Sequence, residues 1–171
     1  PRPIAGAQAE AVASIPADAV ASPAIYELYF HGPAYQVLDR AWRRGDRVYG
    51  RMAADLPANH QPEDLRTLAR PRMVELCLQT AGIWEMGRNG RLALPSRIAK
   101  LSLLPVLEPQ AEEWHAVVLP REGGGFDAWV VDGDGQVVME LEGYETVELP
   151  APLDAAQVTP LQLAMEDPAK A

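Results

Sequence analysis

The hydrophobic pattern divides the chain into a quiet beginning, a patterned middle and a quiet end. Residues 1 to 24 are mostly Ala, Pro and small polar residues with no aromatic. Such a stretch buries too little apolar surface to offset its ordering entropy, so a linker is expected. The segment after Pro150 has the same character, with Pro152, Pro160 and Pro168, and residues 151 to 171 are expected to be a flexible tail. Residues 25 to 150 carry the pattern of one small domain.

That middle opens with the apolar turn Ile25 to Phe30, which stops at Gly32-Pro33. Two strand-like runs follow, Gln36 to Trp42 and Arg47 to Asp55, joined by a short Gly-containing link that predicts a hairpin. Leu56 to Ala69 is polar and broken by two prolines, so a loop is expected. Pro71 to Met86 predicts the one long helix, with Pro71 suited to its first turn and Gly87 and Gly90 to its end. This helix is apolar almost all round, and such a helix must be covered on every side. Four strand candidates follow: Arg97 to Val106, Trp114 to Leu119, Phe126 to Val131 and Val137 to Leu149. Short Gly-rich turns between the later ones predict an antiparallel meander. A curved antiparallel sheet wrapped around a single buried helix satisfies all of this, an α+β architecture known as the hotdog fold.

Charge narrows the partners. The 171 residues carry a net charge of −9, which argues against nucleic acid and anionic membrane surfaces. Five arginines, Arg40, Arg43, Arg44, Arg47 and Arg51, gather on the first hairpin. They make either a docking patch for an acidic protein or a solvated strand pair. The single cysteine, Cys77, permits no internal disulfide and fits a reducing, cytoplasmic setting. Neither an apolar run long enough for a bilayer nor a secretory pattern is present in the sequence. No histidine shares metal-ligand spacing with Cys77 or with another histidine, so no metal is expected. His115 falls on an alternating strand, where a solvent-facing side chain is expected. The Asp132-Gly133-Asp134-Gly135 run and Gly123 to Gly125 are expected to be plain turns, without the context of a calcium or phosphate loop.

Three segments carry a family resemblance. Tyr29-Phe30-His31-Gly32-Pro33-Ala34-Tyr35-Gln36 is similar to the Tyr-Gly-Pro-x-Phe-Gln motif of polyketide synthase dehydratases, with His31 at the tyrosine. Glu75-Leu76-Cys77-Leu78-Gln79 falls where that family has Asp-x-x-x-Gln, and Leu94-Pro95 matches the start of its Leu-Pro-Phe-x-Trp segment. The longer wording around Pro71 to Gly82 and Gly143 to Val147 resembles the dehydratase-like region of polyunsaturated fatty acid synthase subunits.

The resemblance implies the C-terminal hotdog of a tandem pair that removes water from a 3-hydroxyacyl thioester, a lyase reaction of polyketide or fatty acid biosynthesis. It implies no cofactor, the substrate being carried on the phosphopantetheine of an acyl carrier protein. It also implies a second hotdog as partner and a homodimeric parent synthase. The family's catalytic histidine lies in a His-x-x-x-Gly-x-x-x-x-Pro motif that this chain lacks, so the chain alone is expected to be inactive. Glu75 takes the position of the acid. Burial on an apolar helix predicts a raised pKa and a retained proton. Gln79, four residues on, shares its face and can orient the carboxyl. His31, Gly32, Pro33, Tyr35, Leu94 and Pro95 are the candidate substrate-binding residues. His31 is either a substitute base or structural, and Tyr29, Tyr35 and Trp84 either line an acyl tunnel or are plain core. Two other roles remain for the domain: a non-catalytic unit for carrier docking or assembly, and a thioesterase in which an ionised Glu75 activates water.

Overall fold

The computed structural model describes residues 12, 14–62, 69–104 and 113–166. In chain order these form β1 (Val20–Ala21), α1 (Ser22–Tyr26), a 3-10 turn (Pro33–Tyr35), β2 (Leu38–Arg44), β3 (Arg47–Met52), α2 (Ala69–Asn89), β4 (Arg91–Leu103), β5 (Trp114–Pro120), β6 (Phe126–Asp132), β7 (Val137–Pro152) and α3 (Ala155–Met165). The seven strands make one antiparallel sheet in the order β1-β2-β3-β5-β6-β7-β4. The expected α+β hotdog is what forms.

Alternation along the strands sorts the sheet into two apolar faces. Val48, Ala116, Val118, Ala128, Val130, Met139 and Leu141 point inward. They join Leu76, Cys77, Ala81, Ile83 and Met86 of α2 in the main core. Each fully buried aliphatic side chain of this set contributes about 1.5–3 kcal/mol. The opposite face carries a smaller cluster of Val117, Trp129, Val131 and Val137. His115 belongs to that second face and is buried, not solvent-facing as its strand alternation suggested. Its ring meets Trp42 edge-on at 6.2 Å. Burial lowers its pKa, a push that Glu113 opposes and Arg51 reinforces.

Close packing explains the placement of two glycines. α2 lies so tightly on β3 that a Cβ at Gly50 would collide with the Thr80 hydroxyl and Leu38. Gly87 does not end α2 as expected. It stays within the helix, and it is a glycine because α3 crosses there: a Cβ would come within 2.9 Å of the Leu161 carbonyl oxygen. The helix ends at Gly90, whose φ of +64° is the left-handed conformation that glycine accepts without penalty. β4 then begins at Arg91, earlier than expected, so Leu94 and Pro95 lie inside a strand. Pro95 is tolerated because β4 is the sheet edge. The expected end of that strand at Val106 lies outside the described residues.

Both quiet ends contribute more than their composition promised. Val20 pairs with Ala41 and is buried, so the domain starts before residue 25. The segment after Pro150 is not a flexible tail through residue 166: β7 runs to Pro152 and α3 follows. Asp154 caps α3 by accepting from the Ala156 and Gln157 amides. Val158, Leu161, Ala164 and Met165 pack inward at i, i+3, i+6 and i+7 spacing. Pro160 lies inside α3, where its missing N–H leaves out the hydrogen bond to the Ala156 carbonyl. Residues 1–11 and 13 of the expected linker and residues 167–171 of the expected tail lie outside the described residues. Leu161→Ala is therefore expected to lower stability by ~2–5 kcal/mol. Leu163→Ala, at a site 57% exposed, is expected to stay within ~0.5 kcal/mol. Equal melting temperatures for the two variants in thermal denaturation would remove α3 from the core.

Candidate active site

The polar side chains of α2 that are not exposed are few, and all but Thr80 are tied to a neighbouring element. Arg72, near its start, donates to the Ala34 carbonyl at 3.0 Å and to the Pro57 carbonyl, drawing two loops onto the helix. Thr80 is buried and returns its hydroxyl proton to the Leu76 carbonyl. Glu75, Gln79 and Glu85 remain, and the first two converge with His31 at the mouth of the Gly32-Pro33 turn.

His31 Nε2 lies 2.9 Å from Glu75 Oε1. Gln79 Nε2 donates to the same oxygen at 3.0 Å and to the Tyr35 carbonyl at 2.8 Å. Both contacts fall on Oε1; Oε2 has no partner among the described residues. The Glu75 side chain is 23% exposed and that of His31 19%, so the pair sits at the surface of the core. The ring of His31 stacks on Phe30 at 5.3 Å and meets Tyr29 edge-on at 5.0 Å. His31 Nδ1 is buried without a partner. Its partnered nitrogen, Nε2, is therefore the one that carries a proton toward the carboxylate.

This geometry reverses the expected ionisation of Glu75. Burial pushes its pKa up, but the hydrogen bonds from His31 and Gln79 and the nearby His31 charge pull it below the ordinary glutamate value. Glu75 is an ionised carboxylate near neutrality, not the protonated acid that an apolar helix alone predicted. The raised pKa appears ten residues on, at Glu85. Its cause is burial, offset in part by the Thr146 hydroxyl and reinforced by Glu148. Thr146 donates to Glu85 Oε1 at 2.5 Å, while Oε2 is buried without a partner.

The candidate residues divide between these two centres. His31, Glu75, Gln79 and the Tyr35 backbone meet directly, with Gly32 and Pro33 forming the turn between His31 and Tyr35. Leu94 and Pro95 do not join them. They pair with Val147 and Thr146 of β7, which places them near Glu85, about 15 Å along the helix axis from Glu75. Tyr29 packs in the core with its hydroxyl on the Gln79 carbonyl at 2.9 Å. Trp84 faces Phe126 edge-on beneath Arg88. A recess of about 350 Å³ lined by Arg43, Trp84, Arg88 and Gln162 opens at the far end of α2 from Glu75. Sequence reading passed over Tyr26 and Glu85. The only signal for Tyr26 was its i, i+3 spacing to Tyr29, and Glu85 looked like any solvated helix glutamate.

The five hairpin arginines do not share one face. Arg40, Arg44, Arg47 and Arg51 alternate outward with Trp42 and Tyr49, and Arg51 pairs with Asp39. Arg43 points inward and donates to the Met165 carbonyl at 3.2 Å. Among the described residues no group of three or more His, Cys, Asp and Glu is gathered as a metal site, and no helix is long and apolar enough to cross a membrane.

Fold and site together define a single hotdog unit with a hydrogen-bonded carboxylate on its central helix. The chain belongs to the polyketide synthase dehydratase family: the family profile described as "Polyketide synthase dehydratase N-terminal domain" matches residues 5–156. Among solved structures it is similar to the dehydratase domain from the CurF module of curacin polyketide synthase, at 20% identity and a TM-score of 0.58, covering 77% of this chain and 48% of that one. It is likewise similar to a trans-AT polyketide synthase dehydratase domain from Brevibacillus brevis, at 17% identity and a TM-score of 0.64, covering 85% of this chain and 55% of that one. At such identities the likeness shows the fold. The chain spans about half the length of the solved structures it matches. Comparison with curated protein sequences gives no match.

The two helix carboxyls predict opposite pH behaviour. The stability that Glu75 supplies is full above the ordinary glutamate range and is lost as pH falls through its lowered value. That of Glu85 is full below the ordinary range and is lost as pH rises through its raised value. Melting temperature plotted against pH is expected to lose part of its acid-side fall in Glu75→Gln and part of its fall toward neutrality in Glu85→Gln. Profiles parallel to wild type in both variants would contradict these environments.

Proposed function

We propose that this chain supplies the carboxyl-bearing half of a 3-hydroxyacyl-carrier-protein dehydratase site in a multidomain synthase, of the polyketide or polyunsaturated fatty acid type. The observation that carries this reading is Glu75 itself. It is a carboxylate on a buried helix, anchored through Oε1 by His31 and Gln79, with Oε2 free of any partner among the described residues. In the elimination a base takes the C2 proton, the C3–O bond breaks, and the hydroxyl leaves as water after accepting a proton. In this reading Glu75 Oε2, the oxygen without a partner, hands over that proton. Its lowered pKa belongs to the uncovered chain. A second hotdog seated over Oε2 removes water from the carboxyl and favours its protonated form.

The family profile is described as an N-terminal domain, whereas the residues support the C-terminal role. The His-x-x-x-Gly-x-x-x-x-Pro motif of the base-bearing half is absent, and Glu75 and Gln79 occupy the helix positions of the acid-bearing half. The base then comes from the partner hotdog. A carrier protein, acidic as carrier proteins are, meets its best complement at the outward arginines Arg40, Arg44 and Arg47. Non-catalytic docking uses that same surface without Glu75.

A second reading is favoured by one observation, the ionised state of Glu75. A thioesterase-like hotdog needs such a carboxylate to activate water, and it releases the acyl group instead of dehydrating it.

Intact-mass analysis of a 3-hydroxyacyl carrier protein separates these readings when the chain is combined with its histidine-bearing partner hotdog. Loss of one water is expected, slowed at least ~100-fold in Glu75→Gln. Loss of the whole acyl group would establish the thioesterase. Water loss at the wild-type rate in Glu75→Gln would take Glu75 out of the chemistry.

A further inference from the structure

We propose that Tyr26 is a positioning residue of this site: its hydroxyl sets the orientation of the Gln79 carboxamide and thereby leaves Glu75 Oε2 as the oxygen that carries any proton. The use made of that proton rests on the dehydratase reading above; the hydrogen-bond geometry does not.

Each step in the relay has only one possible polarity. The Leu38 backbone N–H donates to the Tyr26 hydroxyl at 2.7 Å, and a backbone amide cannot accept in return. The single phenolic proton is therefore free to point at Gln79 Oε1, also at 2.7 Å. Tyr26 keeps that proton, because burial pushes its pKa up, the Leu38 hydrogen bond offsets this only in part, and the Glu75 charge adds to the rise. The donor identifies the oxygen end of the Gln79 side chain, which geometry alone leaves ambiguous for an amide.

With its oxygen held, Gln79 turns both Nε2 protons the other way. One meets the Tyr35 carbonyl at 2.8 Å and the other Glu75 Oε1 at 3.0 Å. Both targets are acceptors, so the flipped carboxamide would set oxygen against oxygen twice and leave the phenolic proton of Tyr26 without its acceptor. Gln79 is 1% exposed, so water cannot relieve such contacts. Oε1 of Glu75 receives this bond as well as that of His31 Nε2. An oxygen already accepting from two donors has no room to carry a proton of its own, and protonation falls to Oε2. Tyr29, one turn later than Tyr26, pins the same stretch by donating to the Gln79 main-chain carbonyl. A residue that touches neither substrate nor carboxyl thus decides which carboxyl oxygen is reactive.

The test reads the Glu75 carboxyl directly, by carbon NMR titration of the 171-residue chain in wild type, Tyr26→Phe, Gln79→Leu and the double variant. Loss of the phenolic donor frees the carboxamide to rotate, so Glu75 in Tyr26→Phe is expected to titrate at higher pH than in wild type. Gln79→Leu is expected to move it the same way, and the double variant to move it no further than Gln79→Leu. A wild-type midpoint in Tyr26→Phe beside a moved one in Gln79→Leu would overturn the proposal. So would full additivity in the double variant. A second measurement needs no variant to fold. The Gln79 carboxamide protons in the wild-type chain are expected to exchange far more slowly than those of exposed Gln157, and equal exchange would overturn the fixed orientation. No substrate enters either experiment. A failed elimination assay with a positive titration therefore removes the dehydratase reading alone, and the converse removes only the role of Tyr26.

Discussion

The structure depends on one constraint, the burial of α2. A helix covered on nearly every side gains the apolar contacts of the whole sheet, but it must find a partner for each polar group it carries. The surrounding elements are placed accordingly. Arg72 draws in the loops at Ala34 and Pro57, Gln79 meets α1 and the Gly32-Pro33 turn, and Glu85 meets β7 through Thr146. At Gly50 and Gly87 the missing side chains let β3 and α3 approach the helix backbone. The segment from α1 to Tyr35 and helix α3 are thus coverings that the buried helix requires, each held by specific contacts.

That constraint also explains why the architecture was legible in the sequence while parts of the site were not. A run apolar on all faces, followed by strands with tight turns, admits few folds other than a sheet curved around a helix. Element boundaries shifted where tertiary contact overrode local signals. Gly87 read as a helix end because glycine commonly ends helices, yet it lies within α2 and its missing side chain makes room for α3. The Ala- and Pro-rich stretch after Pro150 read as tail because its apolar residues are spaced too widely to stand out without a partner surface. His115 alternates as a solvent-facing residue would, but the outer face of this sheet has its own apolar cover, which no strand period reveals.

The site followed the same rule at finer scale. Spacing alone placed Glu75 and Gln79 on one face; that His31 meets them is a finding of the folded chain. The ionisation of Glu75 was not legible, because it is decided by donors that only the folded chain assembles. Burial considered alone raises a carboxyl pKa; two hydrogen bonds to one oxygen reverse the sign. Glu85 shows the counterfactual on the same helix. It has one hydroxyl donor and an acidic neighbour, and burial prevails there. Two glutamates of one helix, both largely removed from water, therefore sit on opposite sides of their ordinary value because of the number and kind of their partners.

The asymmetry within Glu75 then connects packing to chemistry. A carboxylate held by both oxygens is a structural anchor, and one held by neither samples many rotamers and loses reactive geometry. Here one oxygen is fixed by the core and the other has no partner among the described residues. That arrangement suits a group meant to act on something outside the chain. The lowered pKa measures how well the core binds the charged form, and it sets a condition on the partner. Only a covering surface that excludes water from Oε2, and brings no cation to it, shifts the balance back toward the protonated form. A partner that instead placed a cation or an ordered water on Oε2 would lock the carboxylate as a base. Under the proposed dehydratase role, what covers this helix would decide between eliminating water and hydrolysing a thioester, because the chain itself holds the carboxyl in its charged form.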